Sequence, residues 1–135
     1  MTQPEDDIRQ ALNALIESWN THDPEQLAAS FTQDAQFTDV MGHAAEGRAA
    51  LARLHVMPFA RLFNSAELEV EQAPIKLVSD EVASVNLRWP LRGGATPQGA
   101  PLPPRAGVMH VVVVRRENRW WPTIPITPHL LRARA

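Results

Sequence analysis

Apolar residues in the first part of the chain recur with a helical period. Ile8, Leu12, Leu15, Ile16 and Trp19 follow one another at steps of four, three, one and three, which places them on one face of a helix. Thr2 and Glu5 have capping-box spacing and Pro4 is tolerated in a first turn, so the helix is predicted to begin there and to run out near Asn20-Thr21-His22. Asp23-Pro24-Glu25-Gln26 then offers an N-cap, a proline at the first helical position and a capping partner, predicting a short second helix to about Phe31. Residues 35–40 switch to period two, with Ala35, Phe37 and Asp39 on one side and Gln36, Thr38 and Val40 on the other. After a turn at Met41-Gly42-His43, residues 46–63 read as a third helix. Its inward stripe is Leu51, Leu54 and His55, continued by Phe59, Leu62 and Phe63, with a kink or restart at Pro58.

From Ala66 onward the pattern is that of strands. Leu68 and Val70 alternate with acids, Ile75 and Leu77 follow an expected bulge at Pro74, and Ser79-Asp80-Glu81 turns the chain into a strand over 82–91. That strand has an apolar side (Ala83, Val85, Leu87, Trp89) and a polar one (Ser84, Asn86, Arg88). Residues 92–105 hold three glycines and four prolines without periodicity and read as a long connection that covers something. Residues 108–114 are apolar at nearly every position, as in a strand covered on both faces, by helices on one side and a second subunit on the other. A turn at Glu117-Asn118-Arg119 leads to a last strand in which Pro122, Pro125 and Pro128 remove ladder donors, which fits an edge or a bulged end. Helices followed by four or five antiparallel strands, with no repeat and no composition break, predict one α+β domain over 1–135, with 129–135 as a loose tail.

Composition narrows the partners. The 135 residues are 44% hydrophobic and 21% charged, as in a soluble globular chain. Thirteen basic residues are scattered among fifteen acidic ones for a net charge of −2, too weak a field to collect a polyanion, so nucleic acid is not an expected partner. Arg132 and Arg134 near the end are given no role. The absence of cysteine excludes disulfides, a thiolate nucleophile and thiolate metal ligands. Glu5, Asp6 and Asp7 are unlike a leader's basic start and no apolar run is long enough for a bilayer, so the expected location is the cytoplasm, with no membrane partner.

Three short stretches carry a resemblance. Trp19-Asn20-Thr21-His22-Asp23 looks like a W-N-x-H-D motif, Phe31-Thr32-Gln33-Asp34-Ala35 an F-x-x-D-A strand entry, and Glu46-Gly47-Arg48-Ala49-Ala50-Leu51 a G-R-x-x-[IL] helix start. Together, in this order, they resemble the SnoaL-like, ketosteroid-isomerase-like proteins of the nuclear transport factor 2-like superfamily. Arg88-Trp89, residues 101–107 and Val114-Arg115-Arg116 are similar to its SgcJ/EcaC subgroup, tied to bacterial secondary metabolism. The resemblance spans nearly the whole chain. It implies a cystatin-like cone, with N-terminal helices packed on a strongly curved antiparallel sheet of four to six strands, and a homodimer formed through the sheet's outer face. The fold hosts isomerases, cyclases, dehydratases and binding modules, so it implies a small hydrophobic ligand rather than one reaction.

The candidate chemistry follows. In the isomerases of this family an aspartate ending the first strand is the proton-shuttling base, and Asp39 shares its strand face with Phe37; alternatively Asp39 simply starts the turn at Met41-Gly42. His110, mid-strand where those enzymes hold a second acid, suits proton transfer at neutral pH, or lies at a subunit interface. His55, on the inward stripe of the third helix, is the third catalytic candidate. The expected pocket lining is Trp19, Phe37, Met41, Phe59, Phe63, Trp89 and Arg88, although Trp19 suits the core and Arg88 suits a pairing role across the sheet. The chain has no tyrosine, so the isomerases' oxyanion donor has no counterpart; Trp19 has an indole N–H near that position. His43 lies in the loop after Asp39, and His22 and His129 read as terminus residues. No metal motif or cofactor fingerprint is present, and the chemistry expected here, isomerase, cyclase or dehydratase in type, requires no cofactor.

Overall fold

The computed structural model describes residues 3–39, 41–71, 74–96 and 98–126. Helix α1 (Pro4–Asn20) starts on Gln3, whose carbonyl accepts the Asp6 and Asp7 N–H groups at 3.0 and 3.2 Å, while Glu5, Asp6 and Asp7 place negative charge at the positive end of the helix dipole. The helix therefore begins without a side-chain cap; Thr2, expected to supply one, lies outside the described residues, as do His129 and the C-terminal tail. Ile8, Leu12, Leu15 and Ile16 are buried along the predicted stripe. Helix α2 (Pro24–Ala29) has the predicted cap: Asp23 Oδ1 accepts the Glu25 N–H at 2.9 Å.

Strands β1 (Gln36–Thr38) and β2 (Ala44–Glu46) form a small hairpin, and helix α3 (Gly47–Met57) follows directly. Pro58 restarts the helix as a π-helical turn (Pro58–Leu62) closed by the Phe63 N–H on the Pro58 carbonyl at 2.8 Å. With no N–H of its own, proline leaves a gap in the ordinary ladder, and the wider turn takes it up. The remaining strands are β3 (Glu67–Leu68), β4 (Ile75–Ser79), β5 (Val82–Arg92), β6 (Arg105–Arg116) and β7 (Arg119–Ile126).

All seven strands lie in one sheet of order β2-β1-β7-β6-β5-β3, with β4 beside the first half of β5. The sheet is curved and not closed, and the fold is α+β. It differs from the expected antiparallel sheet of four to six strands in two respects: β2 and β3 are added short pieces, and β1 meets β7 in parallel at Thr38 and Ile126. That sparse pairing leaves most of one edge of β7 open, and a register shift beside Pro122 disturbs the other, which is how the strand accommodates Pro122 and Pro125. The bulge expected at Pro74 lies instead between Leu77 and Ser79.

Period two sorts β5 as read from the sequence, and it sorts β6 as well. Ala83, Val85, Leu87, Val111 and Val113 are fully buried on the inner face against Ile8, Leu12 and Ile16 of α1. Ser84, Asn86 and Arg88 face outward beside Val108, His110 and Val112. Within one chain β6 is thus covered on one face only, with Val108 exposed on the other. The 93–104 connection packs on the π-helical turn. The Ala95 N–H reaches the Leu62 carbonyl at 2.9 Å, and Gly94 (φ +91°) runs so close to that carbonyl that a Cβ would lie 2.8 Å from it.

Gly107 stands opposite Trp89 in the β5–β6 ladder, and the indole lies across it: a Cβ there would fall 2.1 Å from the ring. Gly107→Ala should expel the ring from that position and destabilise the protein by about 1–3 kcal/mol, the usual cost of overpacking. Urea denaturation followed by tryptophan fluorescence checks this.

Candidate functional site

Between the helices and the inner face of the sheet lies a cavity of about 160 Å³. Its walls come from every layer of the fold. Helix α1 supplies Leu15, Ile16 and Trp19, where the helix passes beyond the solid core formed by Ile8 and Leu12. Leu27 and Phe31 enter from around α2, Phe37 from β1, and Leu68, Trp89, Leu91 and Met109 from the sheet. Phe63 completes the wall after the π-helical turn. Trp19 is held among aromatic rings, with centroids 5.2 Å from Phe59 and 5.5 Å from Phe63. Asn20, the next residue, donates to the Leu68 carbonyl at 2.9 Å and accepts its N–H at 2.7 Å, which fixes the β3 wall to the end of α1.

Among the described lining residues, two ionise: Asp39 and His55. Asp39 follows β1, its side chain 25% exposed at the rim. Its Oδ1 accepts the N–H groups of Met41 and His43 at 2.9 and 2.8 Å, and its Oδ2 lies 3.1 Å from His43 Nδ1. Asp39 is therefore both the turn-starting residue and a cavity residue. Met41 projects away, 69% exposed, and is not in the wall.

His55 is buried on α3, its ring 5.0 Å from Phe37 and 5.4 Å from Phe59. Burial holds its pKa below the ordinary histidine value; the hydrogen bond to Leu51 and the negative charge of Asp39 oppose the shift without reversing it. The ring is therefore neutral at pH 7. Its Nδ1 sits 2.9 Å from the Leu51 carbonyl, an atom that can only accept, so Nδ1 carries the proton and Nε2 the lone pair.

The remaining candidates lie elsewhere. His110 is on the outer face, its Nδ1 2.7 Å from Asn86 Oδ1 and its Nε2 3.2 Å from Ser84 Oγ, with the sheet between it and the cavity. Its strand parity is opposite to that of the buried Val111 and Val113. Arg88 is on that same face, paired with Glu71 at 2.7 Å. Phe59 is fully buried behind the cavity wall, as support for Trp19 and His55 rather than lining. Leu15, Ile16, Leu27, Phe31, Leu68, Leu91 and Met109 line the cavity without having been expected there; the inward parity of Met109 in β6 and of Leu91 in β5 was the available signal. Among the described residues no group of three or more histidine or acidic side chains is placed to hold a metal, and no helix is long and apolar enough to cross a membrane.

A curved sheet closed by helices around an apolar hollow defines a cystatin-like α+β cone. The chain belongs to the SnoaL-like domain family, which matches residues 12–121. Among solved structures it is similar to an uncharacterised protein with a cystatin-like fold from Caulobacter vibrioides, at TM-score 0.81 and 21% identity over 94% of this chain and 89% of that one. It is also similar to a ketosteroid isomerase-like protein from Erwinia carotovora atroseptica (TM-score 0.81, 17% identity, 98% and 100% of the two chains). A third is Aln2 from a Streptomyces species (TM-score 0.74, 17% identity, 96% and 94%). At these identities the likeness is one of fold, and it reaches the family rather than the SgcJ/EcaC subgroup. No curated protein matches the chain.

The depressed pKa of His55 ties stability to pH. The unfolded chain takes up this proton at about pH 6.5 and the folded chain only below that. The stability contributed by neutral His55 is thus complete above about pH 6.5 and is lost as pH falls through the folded value. Urea unfolding of the wild type and His55→Phe between pH 7.5 and 5 should show that component of the pH dependence in the wild type alone.

Proposed function

We propose that the protein binds a small, hydrophobic, ring-bearing molecule in this cavity and carries out acid–base chemistry on it. The observation that carries the reading is the pairing of an apolar hollow with two ionisable groups, Asp39 and His55. His55 is the base, because its Nε2 lone pair is free while both Asp39 oxygens are engaged in the turn. Asp39 supplies negative charge that stabilises the imidazolium as it forms, and His43, exposed beside it, continues the path to solvent. In D₂O, one-ring ketones and phenols that bind should exchange carbon-bound protons faster with the wild type. His55→Gln should slow this exchange by about 10²–10⁴-fold, and Asp39→Asn by at least about tenfold. Exchange unaffected by either change, measured by NMR, would remove the catalytic part of the reading.

A second reading, a binding module without catalysis, is favoured by two observations: the chain has no tyrosine to act as an oxyanion donor, and the Asp39 oxygens are occupied by its own turn. It requires ligand binding with no proton exchange in any of the three proteins.

The outer face is proposed as the contact between two copies of the chain. Its support is the apolar row of Val108, Val112 and Ile126 beside the His110–Asn86 pair, which a second copy would cover. Val112→Lys places a charge in that row and should convert the dimer to monomer in sedimentation velocity, with the cavity retained.

A further inference from the structure

The geometry points to a ligand of one chemical class: an uncharged, single-ring compound carrying a hydroxyl group, bound with that hydroxyl donating to His55 Nε2. This deepens the reading above and rests on it. Size gives the ring. A dry apolar cavity of about 150 Å³ accommodates a benzene molecule, and this one, at about 160 Å³, has room within its walls for one ring and a small substituent.

Polarity gives the hydroxyl. Both ionisable groups of the wall present acceptors. Asp39 Oδ1 takes two N–H groups from the turn and Oδ2 lies against His43 Nδ1, and His55 spends its one proton on the Leu51 carbonyl. Nε2 is on the opposite edge of the ring from that bond, and no described residue donates to it. Yet no described buried side-chain nitrogen or oxygen is sealed off without a partner, so Nε2 keeps access to open space, and the cavity is what His55 lines. A buried acceptor without a donor penalises ligands that cannot supply one. A carboxylate ligand is excluded on two counts: it would bring a second acceptor to Nε2, and a negative charge beside Asp39 in a wall with no cationic side chain.

Phenol, anisole and benzoate separate these terms, since anisole keeps the ring and oxygen but has no donor. Titrations by ligand-observed NMR at pH 7.5 should show phenol binding about tenfold more tightly than anisole and no binding of benzoate. His55→Phe should abolish the preference and His55→Gln, which restores an acceptor, should recover part of it. An internal check needs no variant: lowering the pH through the His55 titration, followed by its own ring resonances, should erase the preference while phenol stays neutral. Asp39 is the charged group facing His55 at that point; Glu25, Glu46 and Arg61, on the elements packed against α3, are exposed at the surface. Equal binding of phenol and anisole by the wild type would overturn this inference and leave the ring-binding cavity standing. Failure of phenol, anisole and toluene alike to bind would overturn both.

Discussion

Everything about the cavity depends on how α1 meets the sheet. Over its first three turns, Ile8 and Leu12 lie against Ala83, Val85, Leu87, Val111 and Val113, small or medium side chains that let the helix settle close and leave a packed core. Further along, the helix presents Leu15, Ile16 and Trp19, and the sheet answers with Leu68, Trp89, Leu91 and Met109, which are too bulky for the same close approach. The rings of Trp19, Trp89 and Phe63 border the gap between the layers, and that gap is the hollow. Such an opening forfeits packing energy. It persists because its walls are fixed from outside: Trp19 by Phe59, Leu68 by both hydrogen bonds of Asn20, and Trp89 by the absent side chain of Gly107.

The motifs that betray the family belong to this scaffold. Asn20 holds β3, His22 Nε2 lies 2.6 Å from the Ala66 carbonyl, and Asp23 caps α2. Gly47, at φ +83°, donates to the Ala35 carbonyl at 2.8 Å, and Arg48 directs two nitrogens at the Phe31 carbonyl, which would otherwise be an unpaired acceptor where α2 ends. Asp34 pairs with Arg116 across to β6. Asn20, His22, Asp23, Asp34, Gly47 and Arg48 are outside the cavity lining, whereas Trp19 and Phe31, which open two of the same motifs, are part of it. Most of the motif residues join helices to sheet, and the fold was accordingly far more legible than the chemistry.

What could be read of the site came from parity. Period two set Phe37 and Asp39 together on the inner side, and the helical stripe brought His55 inward. The same rule applied to β6 puts His110 outward, since 111 and 113 are the deeply buried positions; the expectation of a catalytic His110 followed the likeness to isomerases where local periodicity pointed the other way. Arg88 fails for the same reason, having the parity of Ser84 and Asn86. Met41 failed because a turn suspends parity. Other features had no sequence signal at all. The contact between Gly107 and Trp89 requires the pairing of β5 with β6, and the tautomer of His55 requires knowing that its ring folds back on its own helix.

That tautomer also reconciles two uses of Asp39 that look exclusive in one dimension. A carboxylate committed to a turn has little left to offer a ligand, because both oxygens already have hydrogen-bond partners. It is for that reason a good fixed charge. Three hydrogen bonds from the loop hold it at the rim without help from a buried cation, and the field it casts opposes the desolvation that keeps His55 neutral. Desolvation outweighs that field, so His55 rests unprotonated in an apolar wall with a negative charge at the rim. In the proposed reading, the separation of the two groups, one lining the hollow and one at its rim, leaves the Nε2 lone pair of His55 open to a ligand while Asp39 stays committed to its turn.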